Sequence, residues 1–219
     1  MKLSIVVIGD ELLLGRVTDT NSGFIARHFD TLGWEIASVE TVGDTREAIS
    51  SAIKRAMECS SLVITTGGLG PTKDDITKGV MTEIFGGEPV KNDDVLENII
   101  NVFNLRGLKM NPLTADQAIV PSSCRVIQNR LGTAPIMVFE RDGRMLIAMP
   151  GVPFETEGML VSAVIPEVIA RFQPDTAIAH RTVIVTGITE SALAKLLEEF
   201  EESLPAGFHL ACRRRASYA

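Results

Sequence analysis

The sequence lacks the features that mark several classes of protein. It has only three cysteines, Cys59, Cys124 and Cys212, which are far apart and have no metal-ligand spacing. They therefore give no support to a disulfide framework or to a zinc site. No apolar run approaches the roughly 20 residues that cross a bilayer, and the first residues carry no signal-peptide cleavage pattern. We accordingly predict a cytoplasmic protein with no membrane partner.

An excess of basic charge is also missing. The chain has 21 lysines and arginines against 28 aspartates and glutamates, a net charge of -7, and the two signs are interspersed. Nucleic acid is therefore not predicted as a direct partner. Hydrophobic residues make up 45% of the chain, which is enough to form a core. Since a domain has about 150 residues, the length predicts one large domain with a small appendage.

Short apolar runs alternate with helical patterns in the first third of the chain. The pattern predicts strands at residues 3–8, 34–42 and 61–65, and helices from about Asn21 and from a cap at Asp44 or Thr45. The first run is apolar throughout, which is typical of a strand buried on both faces. Strands that alternate with helices of this length predict a parallel sheet with right-handed crossovers, so the core is α/β.

The second half of the chain predicts a hairpin and then a helix. Residues 136–140 and 144–149 flank the turn residues Asp142 and Gly143, and Pro153 is placed in the first turn of a helix to about residue 172. We predict a domain boundary near Pro174, then a strand at 181–186 and a helix at 189–202. The tail, with Arg213 to Arg215, is interpreted as a frayed or truncated end, with a small anion-binding patch as the alternative.

A glycine cluster follows the third predicted strand. Thr66, Gly67, Gly68 and Gly70 would lie at the carboxyl edge of the sheet, where open α/β sheets bind ligands. Backbone N–H groups there can approach a phosphate, and the next helix directs the positive end of its dipole toward the same place. The segment thus predicts an anion-binding turn, although it is not a Walker loop. The alternative is a tight turn that only begins a helix.

Acidic residues follow each of the first three strands. If these strands are neighbours, Glu11, Asp44 and Asp75 converge beside the glycine cluster. Carboxylates around a phosphate site would repel the ligand, and a divalent cation removes this conflict by binding carboxylate and phosphate oxygens together. We predict that Asp44 and Asp75 hold such a cation, either Mg²⁺, Mn²⁺ or Co²⁺. Each carboxylate taken alone is more typical of a helix cap or a solvated residue than of a metal ligand.

Two further segments are candidates for the rest of a nucleotide pocket. Pro150 and Gly151 lie in a second turn between a strand and a helix, and Gly132 and Thr133 precede the predicted hairpin. A purely structural turn is the alternative. No arrangement of Ser, His and Asp, or of Cys and His, indicates a catalytic triad.

Five segments together resemble the CinA family, the competence/damage-inducible protein A homologues. They are IGDELLLGRVTDTN, VGD, TTGGLGPTKDDIT, LGTAP and MPGVPFE, in the family's order and spacing. For residues 1–172 the resemblance implies a MoaB/MogA-like molybdopterin-binding fold, a three-layer α/β sandwich with a mostly parallel sheet. Residues 175–219 resemble the start of a small KH-like α+β domain, incomplete and truncated.

The resemblance also implies an activity and site residues. It implies an ADP-ribose pyrophosphatase that requires a divalent cation, with Glu11, Asp44 and Asp75 as its acidic catalytic residues. Glu11 would orient or deprotonate the attacking water, and Asn21, Pro150 and Gly151 would line the pocket. By analogy with related folds we expect a homodimer or homotrimer. Two alternatives remain: an enzyme or binder of molybdopterin phosphate, and a non-catalytic regulatory module linked to competence or DNA damage.

Overall fold

A computed structural model describes residues 1–173, 178–179 and 181–212. The chain divides into two compact units, Met1–Ala179 and His180–Ala219. The boundary predicted near Pro174 and the basic tail at Arg213 to Arg215 lie outside the described residues.

The first unit is built around a six-stranded sheet. Its strand order is β2-β1-β3-β8-β7-β6. The first four strands are parallel, whereas β7 pairs antiparallel with β8 and β6 pairs antiparallel with β7. A separate antiparallel pair is formed by β4 and β5. The strands are β1 (Lys2–Ile8), β2 (Glu35–Val42), β3 (Leu62–Thr66), β4 (Pro89–Lys91), β5 (Ile119–Pro121), β6 (Arg125–Ile127), β7 (Ile136–Arg141) and β8 (Arg144–Met149).

Helices cover both faces of this sheet. A short 3-10 helix (Asp116–Ala118) precedes β5, and a π-helical turn (Leu160–Val164) joins α7 to α8. The α-helices are α1 (Asp10–Leu13), α2 (Asn21–Thr31), α3 (Arg46–Cys59), α4 (Thr77–Phe85), α5 (Asp93–Leu105), α6 (Pro112–Ala115), α7 (Pro153–Met159), α8 (Ile165–Phe172), α9 (Glu190–Leu196) and α10 (Glu198–Glu202).

Two hydrophobic layers hold the helices to the sheet. On one face Ile5 of β1 packs in a cluster with Phe29 of α2 and Val164 of the π-helical turn. On the other face Val6 packs in a cluster with Ile53 of α3. Adjacent residues of β1 are buried on opposite faces because successive side chains of a strand alternate. The predicted α/β sandwich and the predicted strand buried on both faces are thus confirmed.

Most predicted elements of the first unit are present with small shifts at their ends. Thr45 caps α3 through its hydroxyl, which accepts a hydrogen bond from the Ala48 N–H at 3.3 Å. Asp142 and Gly143 both have positive φ, as a two-residue hairpin turn requires. The strands β4, β5 and β6 were not predicted, since three residues are too few to show a period of two.

The second unit differs from the prediction. Its described residues, 181–212, form α9 and α10 but no strand, so the strand predicted at 181–186 is wrong. An apolar run becomes a strand only where another strand pairs with its backbone, and none of the described residues does so here. The predicted KH-like character is therefore not confirmed. None of the described helices combines the length and apolarity that crossing a bilayer requires.

Candidate functional site

The candidate site is a pocket of about 810 Å³ at the carboxyl edge of the parallel strands. It lies where β1, β2, β3 and β8 end, because parallel strands direct these ends to one side of the sheet. All but one of the predicted site residues line it: Glu11, Asn21, Asp44, Thr66, Gly67, Gly68, Gly70, Asp75, Thr133, Pro150 and Gly151.

The floor of the pocket is the glycine turn, Gly67–Gly70, between β3 and α4. Gly67 and Gly68 have φ values of 108° and 64°. A Cβ atom on Gly67 would overlap the backbone oxygen of Ile8, and one on Gly68 would overlap Oγ1 of Thr77. These two positions therefore require glycine, both for backbone conformation and for close approach. At these two positions the pocket is lined by backbone.

A hydrogen-bond network joins this turn to the end of β8. The Thr66 hydroxyl donates to the Pro150 oxygen at 2.8 Å and accepts from Asn21 Nδ2 at 3.0 Å. Asn21 Nδ2 also donates to the Gly151 oxygen at 2.9 Å. The Thr66 side chain is thus fully engaged in holding two strand ends together, so its part in the site is to position the neighbouring backbone.

An acidic wall, formed by Asp10, Glu11, Asp44 and Asp75, lines the same pocket as the glycine turn. Asp10 and Asp44 are joined by two reciprocal hydrogen bonds. The Asp10 N–H donates to Asp44 Oδ2 at 2.9 Å, and the Asp44 N–H donates to Asp10 Oδ1 at 3.1 Å. Burial raises the pKa of Asp44 above its ordinary value, and the negative charges of Asp10, Glu11 and Asp75 add to this effect. The prediction that β1, β2 and β3 are neighbours is confirmed, and their acidic residues line one pocket.

Asp75 also shapes the loop that precedes α4. Its Oδ2 accepts hydrogen bonds from the Thr72 N–H at 2.8 Å and from the Thr72 hydroxyl at 2.6 Å. A Cβ atom on Gly70 would lie 2.5 Å from the same oxygen. The carboxylate is therefore packed against the glycine turn.

No three His, Cys, Asp or Glu side chains in the described part of the chain form a group that could hold a metal ion. The divalent cation predicted from the sequence therefore stays a prediction. Mg²⁺ is bound through one or two carboxylates together with phosphate oxygens and water. Burial is the main cause of the raised pKa of Asp44, and the nearby negative charges add to it. Asp44 and Asp75 are the residues that would hold it.

Gly132 is the one predicted site residue that does not line the pocket. A Cβ atom there would overlap the carboxylate of Glu155, which does line it. Asn129 Nδ2 donates to Glu155 Oε2 at 2.7 Å, and Asn129 Oδ1 accepts from the Gly132 N–H at 3.1 Å. Gly132 therefore makes room for Glu155, while Thr133 and Ala134 of the same loop line the pocket.

Asp10, Gln117 and Glu155 also line the pocket, although the sequence did not mark them as site residues. Asp10 and Glu155 lie within recognised segments but were not singled out. Gln117 lies in the 3-10 helix before β5, almost 50 residues after the glycine turn, and no local pattern marks it. Its Nε2 donates to the Leu69 oxygen of the glycine turn at 3.2 Å.

Lys78 of α4 contacts the segment that carries Gln117. Its Nζ donates to the backbone oxygens of Gln117 at 2.6 Å and Ile119 at 3.0 Å. Burial lowers the pKa of Lys78 to about 8. The lysine thus fastens the segment that carries Gln117 to the helix that follows the glycine turn.

The chain resembles known proteins in both sequence and fold. Residues 4–170 match the family described as "Probable molybdopterin binding domain". The crystal structure of CinA from Thermoplasma acidophilum, a protein described there as of unknown function, superposes with a TM-score of 0.68 at 33% identity. That match covers 75% of this chain and 96% of the other. The chain belongs to the CinA family.

Other CinA relatives extend the comparison. A CinA-like protein of Cytophaga hutchinsonii is 44% identical over 207 residues, which cover 94% of this chain and 49% of that protein. The chain thus spans about half the length of the curated CinA relatives it matches. MoaB of Thermus thermophilus, a molybdopterin biosynthesis enzyme, has a TM-score of 0.52 at 22% identity over 77% of this chain and 92% of its own. This last likeness concerns the fold alone.

Proposed function

We propose that the pocket binds the phosphate group of a small phosphorylated molecule together with a divalent cation. The observation that carries the proposal is that a glycine turn, in which Gly67 and Gly68 leave no room for a side chain, shares one pocket with an acidic wall. Backbone N–H groups at a turn and a helix start attract phosphate, whereas carboxylates alone repel it. A cation bound between the phosphate and the carboxylates would remove this repulsion, so that the pocket could hold the phosphate beside the acidic wall.

The first candidate ligand is molybdopterin, through its phosphate. It is supported by the family match, whose description names molybdopterin, and by the fold shared with MoaB. A pocket of about 810 Å³ has room for a ligand of this size. The test is equilibrium binding of molybdopterin to the purified chain, with Gly68→Ala as the variant that obstructs the glycine turn.

The second candidate is hydrolysis of the pyrophosphate bond of ADP-ribose or a related nucleotide. It is favoured by the acidic wall, since simple phosphate binding does not need several carboxylates. A bound cation would polarise the phosphoryl oxygens and lower the pKa of a water molecule. Glu11 would orient or deprotonate that water, Asp44 and Asp75 would hold the cation, and the glycine turn would stabilise the phosphoryl charge.

One assay separates these candidates. ADP-ribose is incubated with the chain and Mg²⁺, Mn²⁺ or Co²⁺, and phosphomonoester products are measured. Hydrolysis that falls on the order of 100-fold in Asp75→Asn supports the second candidate. The matched control is Asp94→Asn, because Asp94 lies in the exposed first turn of α5, outside the pocket.

The remaining outcomes each favour another interpretation. Molybdopterin binding without ADP-ribose turnover supports the first candidate. Nucleotide binding without turnover under all three cations supports the regulatory module. If Asp75→Asn keeps activity within about threefold of the parent, Asp75 does not have the assigned role.

A further inference from the structure

Lys78 lines a second cavity, which has a volume of about 260 Å³ and whose lining residues all differ from those of the candidate site. One wall of this cavity belongs to α4 and carries Lys78, and the other is formed by residues of the segment 116–121. Lys78 Nζ donates to the backbone oxygens of Gln117 and Ile119, which both belong to that segment. The amine therefore lies where the two walls of the cavity meet.

These two hydrogen bonds match the neutral form of the Lys78 amine. A neutral amine has two N–H donors and one lone pair, whereas the ammonium form has three donors. The backbone oxygens of Gln117 and Ile119 accept one hydrogen bond each, so together they occupy both donors of the neutral form. The lone pair then remains for an electrophile.

Burial also favours the neutral amine. It lowers the pKa of Lys78 from 10.5 to about 8, although Cys124, Asp75 and Asp116 act in the opposite direction. At about pH 7.5 roughly a quarter of the Lys78 amines are then neutral, against about one in a thousand for a lysine with the ordinary pKa. Since only the neutral amine is a nucleophile, Lys78 should react at a pH where most lysines are protected by their proton.

The size of the cavity limits the electrophile to a small molecule. Its volume of about 260 Å³ is below the roughly 300 Å³ at which pockets for drug-sized ligands begin. An acyl phosphate with a short acyl chain is small enough to enter it whole. The Asp116 carboxylate also lines the cavity, but Asp116 is exposed, so water and salt screen its repulsion of the phosphate.

We propose that Lys78 is a modification site, at which a small acyl phosphate transfers its acyl group to Nζ. The lone pair of the amine attacks the acyl carbon and forms a C–N bond, and the C–O bond to the phosphate breaks. The proton lost from the nitrogen is taken up by the departing phosphate. The amide product keeps one N–H, so only one of the two backbone oxygens on the segment 116–121 retains its donor.

Acylation of Lys78 should therefore loosen the segment 116–121 from α4. The effect reaches the candidate site, because Gln117 Nε2 donates to the Leu69 oxygen of the glycine turn at 3.2 Å. The acylation state of Lys78 would thus regulate how firmly the glycine turn is held. This consequence concerns the protein alone and does not rest on the proposed ligand of the pocket.

The first test measures the reactivity of Lys78 in the full chain. The protein is incubated with acetyl phosphate at about pH 7.5, and acetylation of each lysine is followed over time by peptide mass spectrometry. Lys78 should react at least about 10-fold faster than Lys54, an exposed lysine of α3. In concentrated urea the two lysines should react at similar rates, because unfolding removes the burial of Lys78.

The second test measures the segment 116–121 by amide hydrogen exchange. Exchange there should be about 10-fold faster in the acetylated protein and in Lys78→Gln, which imitates the neutral acylated side chain. Lys78→Arg keeps the charge and the N–H donors, so its segment should exchange more slowly than that of Lys78→Gln. Lys54→Gln is the matched control and should exchange like the parent.

The outcomes separate the two parts of the inference. If Lys78 reacts no faster than Lys54 in the folded protein, or if its advantage persists in urea, the cavity does not create a reactive amine and the proposed site is wrong. If Lys78 is selectively acetylated but exchange of the segment 116–121 is unchanged, the modification site stands and the link to the glycine turn is wrong. The reactivity test needs no variant, so poor folding of Lys78→Gln would not prevent a decision.

Discussion

Single atoms decide whether the glycine turn can form. At Gly68 two separate demands meet, a φ of 64° and the absence of a Cβ atom beside Thr77 Oγ1. The first demand is a property of the backbone, and a non-glycine residue there costs about 1–2 kcal/mol. The second demand comes from packing. The two costs can therefore be measured separately by substituting glycines that differ only in packing.

We expect Gly68→Ala to destabilise the protein more than Gly107→Ala. Gly107 also has a φ of 64°, but a Cβ atom there meets nothing within 4 Å, so it carries the backbone penalty alone. The additional loss at position 68, from the collision with Thr77, should be about 1–3 kcal/mol. Urea unfolding of both variants measures the difference. Equal losses would show that the turn has room to adjust.

We expect Asp44→Asn to raise the melting temperature when no divalent cation is added. The change removes a charge that burial and three neighbouring carboxylates disfavour, while the amide oxygen can still accept from the Asp10 N–H. Because the folded-state pKa is raised, the neutral carboxyl stabilises the folded protein at low pH, and this is lost as the pH rises above the ordinary value. The advantage of the variant should therefore grow with pH.

Added Mg²⁺ should reverse this order. If Asp44 holds the cation, Mg²⁺ raises the melting temperature of the parent more than that of Asp44→Asn. Asp94→Asn is the control and should respond like the parent. A Mg²⁺ response that is identical in parent and Asp44→Asn would count against Asp44 as a cation ligand.

At the scale of elements, α4 connects the glycine turn to the segment that carries Gln117. The connection is Lys78, whose ammonium group is buried and bonded to two backbone oxygens. Burial disfavours its charged form, which lowers the pKa from 10.5 to about 8. The unfolded chain therefore binds more protons than the folded one above pH 8.

This difference predicts a rise in stability with pH. Between about pH 8 and 9 the free energy of unfolding should increase by up to about 1 kcal/mol, since one pKa unit corresponds to about 1.4 kcal/mol. Above pH 9 the buried Cys124 thiol, whose pKa is raised to about 11, opposes the trend. Urea unfolding at half-unit pH steps measures the slope. The slope should disappear in Lys78→Met and persist in Lys54→Met, a surface lysine of α3.

At the scale of the whole molecule, the pocket belongs to one unit. Every lining residue lies within Met1–Ala179, and so do the two large hydrophobic clusters. The last described residue that packs on this core is Phe172, whose ring contacts Trp34 at a centroid distance of 5.1 Å.

A chain that ends at Gln173 should therefore fold and bind by itself. We expect cooperative unfolding, a melting temperature within a few degrees of the full chain, and binding of inorganic phosphate within about threefold of the full chain. Calorimetry on the two chains measures all three quantities. If binding is lost while folding is kept, residues beyond 173 contribute to the site.

Local patterns were enough for much of the first unit. The apolar run of β1, the Thr45 cap and the Asp142–Gly143 turn act over a few residues, so their physics is readable in the sequence. The strand predicted at 181–186 failed because apolar residues do not form a strand without a partner. Pairing is a property of distant residues, which a local pattern does not contain.

The sequence by itself determined the α/β class, the glycine turn and the acidic residues at the strand ends. Only the tertiary structure decided that Gln117 meets Leu69, that Gly132 makes room for Glu155, and that Asp10 and Asp44 hold each other. Propensity and periodicity act between neighbours along the chain, whereas these contacts join residues up to 48 positions apart. They exist only because the order of strands in the sheet brings separate loops to one edge.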